Sequence, residues 1–489
     1  MLFNSKEFLL YFLPFVVIVF YLLKFFLKNK QNYIIFFLVS VSLFFYGYFK
    51  VEYLLLIIAS ILINYYLSVI IIRSKKKFFL FFGILFNVLL LAYFKYTNFA
   101  INSFNIFANT NFENAKIVLP LAISFFTFQQ ITYLVDSFNG IVKKSSILNY
   151  FLFVTFFPQL IAGPIVHHSE MMPQFEKENE NYKFLKNFSM GLSIFIVGLF
   201  KKNCLADNLG LIADKIFSIN NNPTSFNILE QWIGCISYSL QIYFDFSAYS
   251  DMAIGLALIF GITLPINFNS PYKSCSIIEY WKRWHITLSR FINQYLFYPL
   301  SMFFSRNYNN QIDNSILRLF LLIGFPTLIT FSISGLWHGA SWTFVIWGMM
   351  HGIYVFTNFI YKNYFPDLSI SKYIANPLTL FFVFIAWIPF RAENISDFKI
   401  ILFSLFGVNS SFSKDFLYLG NSIFFSCLLI ILSFIIIYFF ENSSNYFKNS
   451  KNIFAINFDL KSSIFIFILI LGLIFFGSNT ADPFIYFQF

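Results

Sequence analysis

The sequence predicts an all-α polytopic membrane protein, a helical bundle of roughly ten to twelve spans with re-entrant helices around a central chamber. Three observations carry this expectation. Of 489 residues, 58% are hydrophobic and only 11% charged, and the mean hydropathy is +0.70, which excludes an ordinary soluble protein. Uncharged apolar runs long enough to cross, or nearly cross, a hydrocarbon core recur along the chain, and runs of that length imply helices. The middle of the chain is interrupted by Pro158, Gly163 and Pro164. Broken backbone at membrane depth is tolerated only inside protein or beside a cavity.

Residues 8–23, 33–49, 53–72, 78–94 and 117–135 open the series of spans. The first is expected to remain as an anchor: Pro14 sits inside it, Lys24 interrupts its far end, and no small-residue cleavage site follows. Lys28 and Lys30 follow the first span, and Arg73, Lys75, Lys76 and Lys77 the third, whereas the loop between offers only Lys50 beside Glu52. Positive charge gathers on the cytosolic side, so the N-terminus is expected outside, residues 98–114 in an external loop, and Lys143 and Lys144 inside. Short or interrupted runs follow over 228–268 and 281–304, with the polar segment 167–187 between Pro164 and the first of them. Long spans return around 319–332, 342–359, 377–387, 423–440 and 464–476. No internal repeat or appended soluble domain is apparent, so 1–489 reads as one integral membrane domain. Its parts are N-terminal spans (1–146), a central region (147–360), and C-terminal spans with an aromatic tail (361–489).

The net charge of +11 lies at the ends of apolar segments, where it faces anionic membrane lipid, so nucleic acid is not an expected partner. Cys204, Cys235, Cys275 and Cys427 are scattered without disulfide or zinc-ligand spacing.

His338 lies in Ile333-Ser334-Gly335-Leu336-Trp337-His338-Gly339-Ala340-Ser341-Trp342, between two long apolar stretches. An ionisable group at membrane depth is a functional candidate, and imidazole exchanges a proton near neutral pH. The second central histidine, His285, lies within residues 279–290. A helix there would pair Glu279 with Arg283 and His285 with Ser289 at i,i+4, and would put Arg283 and Arg290 on one face. Those arginines read either as snorkelling to lipid phosphate or as capturing the phosphates of a coenzyme or phosphopantetheine arm. Asp245 and Asp251, amid Tyr243, Ser247, Tyr249 and Ser250, stand six residues apart on different helix faces, which argues against a proton-sharing dyad. They read as hydrogen-bonding supports of the chamber. Asp136, Gln129 and Gln130 read similarly, as interhelical polar contacts that also line the substrate path. His167 and His168, beside Glu170, read as solvated loop residues, and His351 as bonding a neighbour; none is given a role.

Together, Trp284-His285-Ile286-Thr287-Leu288-Ser289 and Leu336-Trp337-His338-Gly339-Ala340-Ser341-Trp342 resemble the membrane-bound O-acyltransferases, in the bacterial branch of the alginate and peptidoglycan O-acetylation proteins. The resemblance extends over most of the chain, through Pro120–Gln129, Phe157–Ile165 and Tyr243–Asp251. It implies that His338 is the catalytic residue and His285 its partner; fifty-three residues apart, they fit two helices meeting at one chamber. A neutral imidazole there removes the proton from an acceptor hydroxyl as that oxygen attacks a thioester, with no metal required.

The resemblance further implies no bound cofactor and a cytosolic thioester donor, acetyl-CoA or an acyl carrier, as substrate. An envelope polysaccharide, peptidoglycan or an alginate-like polymer, is the implied acceptor, a periplasmic or extracellular O-acetyltransferase the partner, and the bacterial inner membrane the location. The tail Asp482-Pro483-Phe484-Ile485-Tyr486-Phe487-Gln488-Phe489 reads either as an interfacial aromatic belt or, by likeness to teichoic-acid D-alanylation systems, as an acyl relay through Tyr486. One departure stands out: after Tyr295-Leu296-Phe297-Tyr298-Pro299-Leu300, relatives continue with a Gly-Gly-Asn-Arg-like turn, where this chain has Ser301-Met302-Phe303-Phe304-Ser305-Arg306-Asn307. Alternatives are D-alanyl or other small-acyl transfer to teichoic-type polymers, and a non-enzymatic transporter of lipid-linked glycan.

Overall fold

The computed structural model describes residues 1–27, 30–142, 146–176, 184–217, 226–308, 315–368, 370–408, 410–411, 419–440, 460–478 and 482–485. Among these, eight helices are long and apolar enough to cross a membrane: Phe8–Phe26, Glu52–Ser74, Lys77–Ala108, Lys186–Phe217, Ile228–Ile259, Ile316–His338, Trp342–Tyr364 and Lys372–Arg391. Gln31–Gly47, Ile423–Phe439 and Ile464–Phe476 are shorter apolar helices. The only strand pairing among the described residues is a two-residue parallel bridge between Phe226–Asn227 and Ser410–Ser411. The chain is an all-helical multi-pass membrane protein.

Two compact units make up the fold. The first comprises Met1–Val197, Tyr249–Pro265 and Ser450–Ile466. Its helices are held by buried amides as well as by packing: Gln130 Oε1 accepts from Ser60 Oγ at 2.8 Å and from Asn64 Nδ2, and Asn87 Nδ2 donates to Asn64 Oδ1 at 2.6 Å. Lipid tails are as apolar as leucine, so such interhelical hydrogen bonds and close van der Waals fit replace the hydrophobic drive available in water. Glycine supplies that fit where Gly191 and Gly255 cross; a Cβ on either would lie 2.5 Å from the other's carbonyl oxygen.

The second unit comprises Gly198–Ala248, Ile266–Asn449 and Phe467–Phe489. Its core is aromatic, with Trp284, Trp347, Trp387, Tyr272 and Tyr280 fully buried. The Ile316–His338 and Trp342–Tyr364 helices form a hairpin that only glycine permits. A Cβ on Gly335 would lie 2.1 Å from the Phe344 carbonyl oxygen, and one on Gly348 2.2 Å from that of Phe331.

Three expectations are corrected. Residues 228–259 form one unbroken 32-residue helix, of which 89% of the most apolar window is buried. Its serines and aspartates lower the hydropathy without breaking the helix, because Ser237, Ser239, Asp245, Ser247, Ser250 and Asp251 face protein instead of lipid. Residues 97–108 are helical, prolonging the preceding span until Asn109 turns left-handed at φ 52°. Residues 117–122 are not helical; the span expected there begins at Ile123, after Pro120 and the left-handed Ala122.

Candidate active site

His338 is the last residue of the Phe325–His338 helical segment. Gly339 follows in extended conformation, and Ser341 then caps the next helix by accepting from Thr343 N. The ring is buried and boxed by aromatics: Trp347 lies edge-to-face at a centroid distance of 5.1 Å, Phe390 at 5.5 Å and Trp337 at 4.8 Å.

His285 stands 6.3 Å from His338, centroid to centroid. The continuous helix expected over 279–290 is interrupted at this residue. Ile277–Arg283 ends, His285 adopts φ 41°, and Ile286–Ile292 begins. Left-handed backbone is disfavoured for a residue with a Cβ and persists where surrounding structure imposes it. Backbone bonds from Ile286 N to the Asn267 carbonyl and from Asn269 N to the Arg283 carbonyl hold the kink on both sides.

Asn267 also sets the tautomer of His285. Its Oδ1 accepts from Thr287 N at 3.3 Å and Thr287 Oγ1 at 2.8 Å, which identifies the atom as oxygen, and it stands 3.0 Å from His285 Nδ1. A carboxamide oxygen can only accept, so Nδ1 carries the proton and Nε2 the lone pair. Nε2 is buried and makes no hydrogen bond. Burial pushes the pKa of His285, outside the eight apolar spans, down to about 3, so the ring is neutral at physiological pH.

The remaining candidates separate. Arg283 is engaged by Glu279 (Nη2 to Oε1 2.8 Å, Nε to Oε1 3.0 Å) and by the Asn269 carbonyl. Arg290 is exposed, and the break at His285 removes the shared face expected for the two arginines. Ser289 lies on the Ile286–Ile292 segment and lines a cavity of about 470 Å3 with Trp281, Asn293, Thr330, Phe331 and Ser334. Ser334 is one turn before His338. Gln129 and Asp251 are buried in the first unit. His351 meets Trp281, whose Nε1 donates to its Nδ1 at 3.3 Å, as expected of a histidine bonding a neighbour. His167 and His168 are not solvated loop residues: both face the buried Asp136, each at 3.3 Å from its Oδ2.

Asp245 belongs to a buried ionic cluster. Lys202 Nζ is 2.7 Å from both Asp245 Oδ1 and Asp207 Oδ1. The cluster also grips the C-terminal segment. Ile485 N donates to Asp245 Oδ2 at 2.9 Å, Ser478 Oγ to Asp207 Oδ2 at 2.9 Å, and the Lys202 ammonium lies 4.8 Å over the Phe484 ring. Tyr486, the next residue, lies outside the described residues. Lys202, Asp207 and Asn267 escaped the sequence reading, because no motif joins them to their partners in the fold.

The helical fold sets two buried histidines side by side, one with its tautomer fixed, an arrangement suited to proton transfer. A family model for the membrane-bound O-acyltransferases matches residues 123–393. Over 441 residues, 81% of this chain and 79% of the relative, the sequence is 38% identical to a peptidoglycan O-acetyltransferase of Helicobacter pylori. A probable alginate O-acetylase of Azotobacter vinelandii is 36% identical over 309 residues, 61% of this chain and 57% of that protein. A teichoic acid D-alanyltransferase of Bacillus subtilis is 27% identical over 242 residues, 49% and 58%. The chain belongs to the membrane-bound O-acyltransferase family, and it is an acyltransferase.

Proposed function

We propose that this chain moves an acetyl group from a cytosolic thioester, acetyl-CoA, across the bacterial inner membrane for O-acetylation of an envelope polysaccharide. Peptidoglycan is the favoured acceptor, in line with the Helicobacter relative. The observation that carries the mechanism is the Asn267–His285–His338 arrangement: a neutral imidazole whose Nδ1–H donates to Asn267 Oδ1, ring to ring with a second imidazole at a helix C-terminus.

His338 takes the proton of the acceptor hydroxyl while that oxygen bonds to the thioester carbonyl carbon. The carbon–sulfur bond breaks, and the imidazolium returns the proton to the departing thiolate, so the base is regenerated. His285, whose Nε2 lone pair makes no hydrogen bond in the structure, is free to accept one from the acceptor hydroxyl as it arrives and so to orient it. The helix C-terminus stabilises the transient imidazolium.

Tyr486 is the first acceptor in this reading, and the anchoring of Ile485 on Asp245 supports it by fixing the backbone one residue away. A phenol ester so formed is attacked by a second hydroxyl outside, with a periplasmic transferase completing delivery. Neither coenzyme nor polymer then has to cross the membrane. The cavity lined by Ser289 and Ser334 is of a size that accepts the acyl arm of the donor.

The test supplies isotopically labelled acetyl-CoA to the purified protein and reads the C-terminal peptide by mass spectrometry. Label on Tyr486 in the wild type, and none in His338→Ala, is the expected result. Normal polymer acetylation by a well-expressed His338→Ala variant refutes the base assignment; turnover with no label on a trapped Tyr486 refutes the relay.

A further inference from the structure

The first unit holds a polar cluster that the acyl-transfer chemistry does not use. Asp136, at the C-terminal end of the Ile123–Phe138 helix, is 1% exposed. His167 Nε2 and His168 Nδ1 each stand 3.3 Å from the same carboxylate oxygen, Asp136 Oδ2. All three ligand atoms lie within 4.8 Å of one another.

A carboxylate flanked by two histidines is often only a hydrogen-bonded support, and His167 fits that reading. His168 does not. Its side chain is 6% exposed, yet its Nδ1 makes no hydrogen bond although Oδ2 is 3.3 Å away. A buried imidazole nitrogen without a hydrogen bond is destabilising, a cost that a hydrogen-bonded support would have avoided by rotating the ring. The Tyr133 ring stands edge-to-face to it at 5.5 Å, holding the ring's plane.

The distances have a simple geometric meaning. Four ligands about 2.0–2.1 Å from a tetrahedral Zn2+ are separated from one another by about 3.3 Å. Both nitrogen-to-oxygen separations match that edge. His167 has the orientation typical of a ligand: Ser169 Oγ is 3.1 Å from its Nδ1, leaving Nε2 to face Asp136. Its side chain is 18% exposed, which gives an ion and a completing water a route in.

We infer that Asp136, His167 and His168 form a binding site for a divalent transition metal, Zn2+ foremost, with the fourth position open to water. Two imidazoles and one carboxylate are a donor set that selects such ions over Mg2+ or Ca2+, which take oxygen ligands. The site ties the run after Gly163 and Pro164 to the end of the Ile123–Phe138 helix. The sequence expectation of no metal fails to see it because the aspartate precedes the histidines by some thirty residues with no motif between.

The test uses the full-length protein in detergent, stripped with a chelator and titrated with Co2+ and then Zn2+. Expected are visible ligand-field bands of four-coordinate Co2+, bleached by Zn2+, with one ion retained per chain by elemental analysis. Asp136→Asn and His168→Ala should lose both the bands and the retained ion, and Zn2+ should raise the melting temperature of the wild type alone. Should those variants fail to fold, His167→Ala, altered at the partly exposed ligand, makes the same comparison. Absence of the bands and of retained metal in the wild type overturns the assignment. So does equal binding by a folded variant.

Discussion

Substituting alanine at Gly335 probes whether the helical hairpin positions His338, the proposed base. The new Cβ would lie 2.1 Å from the Phe344 carbonyl oxygen, and backbone cannot swing aside as a side chain can. Restoring ordinary contact, about 3.4 Å, requires the two helices to part locally by about 1.3 Å. His338 is three residues further along the same helix, nearly one turn, and moves with it. A misplacement of about 1 Å at a reacting group costs on the order of 10²-fold in rate, and overpacking of this kind costs about 1–3 kcal/mol of stability. The assay is thiol release from acetyl-CoA by the purified variant, with thermal unfolding as the control. A rate loss near 10²-fold in a protein that still unfolds cooperatively is expected. Wild-type rate and stability in Gly335→Ala would refute the idea that this hairpin sets the position of His338.

Other expectations follow from the same geometry. Asn267→Ala removes the acceptor of His285 Nδ1, Thr287 N and Thr287 Oγ1 together, and each buried donor left unpaired costs about 1–3 kcal/mol. Its rate should fall more than its substrate affinity does, and unchanged kcat in the folded variant would contradict the tautomer argument. Lys202→Met leaves Asp207 and Asp245 as unpaired buried carboxylates, a loss of about 3–5 kcal/mol; limited proteolysis should then cleave the chain after Ser478 faster, and an equally protected tail would count against the anchor. His285, held to about 3 by burial, stays neutral in the fold while the unfolded chain gains its proton below about pH 6.5. Its contribution to stability is therefore full above that pH and lost as pH falls toward the folded value. Melting temperatures measured from about pH 7 down to about pH 4 should decline less steeply in His285→Gln, and identical slopes would refute the assignment.

Much of the fold was legible because apolar length is written in consecutive residues. The sequence readings of the spans near 8–23, 53–72 and 342–359 all correspond to observed helices. The errors arose where that signal is absent. Hydropathy cannot distinguish a broken span from a buried helix such as Ile228–Ile259, whose polar residues are satisfied by protein. Nor does it register the single left-handed residue at His285, which no glycine or proline announces.

The site divides along the same line. His338 stands out because an ionisable residue between apolar runs is locally visible, and His285 through the motif around it; the structure brings their rings together. Asn267 is one asparagine among many until the chain folds back on it. Asp136 gains its meaning only when His167 and His168 arrive, and both were misread as solvated because burial is a property of the assembled molecule.

The grip of Asp245 on Ile485 spans 240 residues, which gives it a place in the order of synthesis. The Ile228–Ile259 helix enters the membrane long before its partner backbone has been made. Until then the carboxylate has Lys202 for company but lacks the amide that completes its shell. A chain released early would carry a correctly inserted histidine pair and still hold an incomplete ionic cluster within its core. Closure of this contact therefore waits until the chain has been made through Ile485, so the cluster is completed only after the helix that carries Asp245.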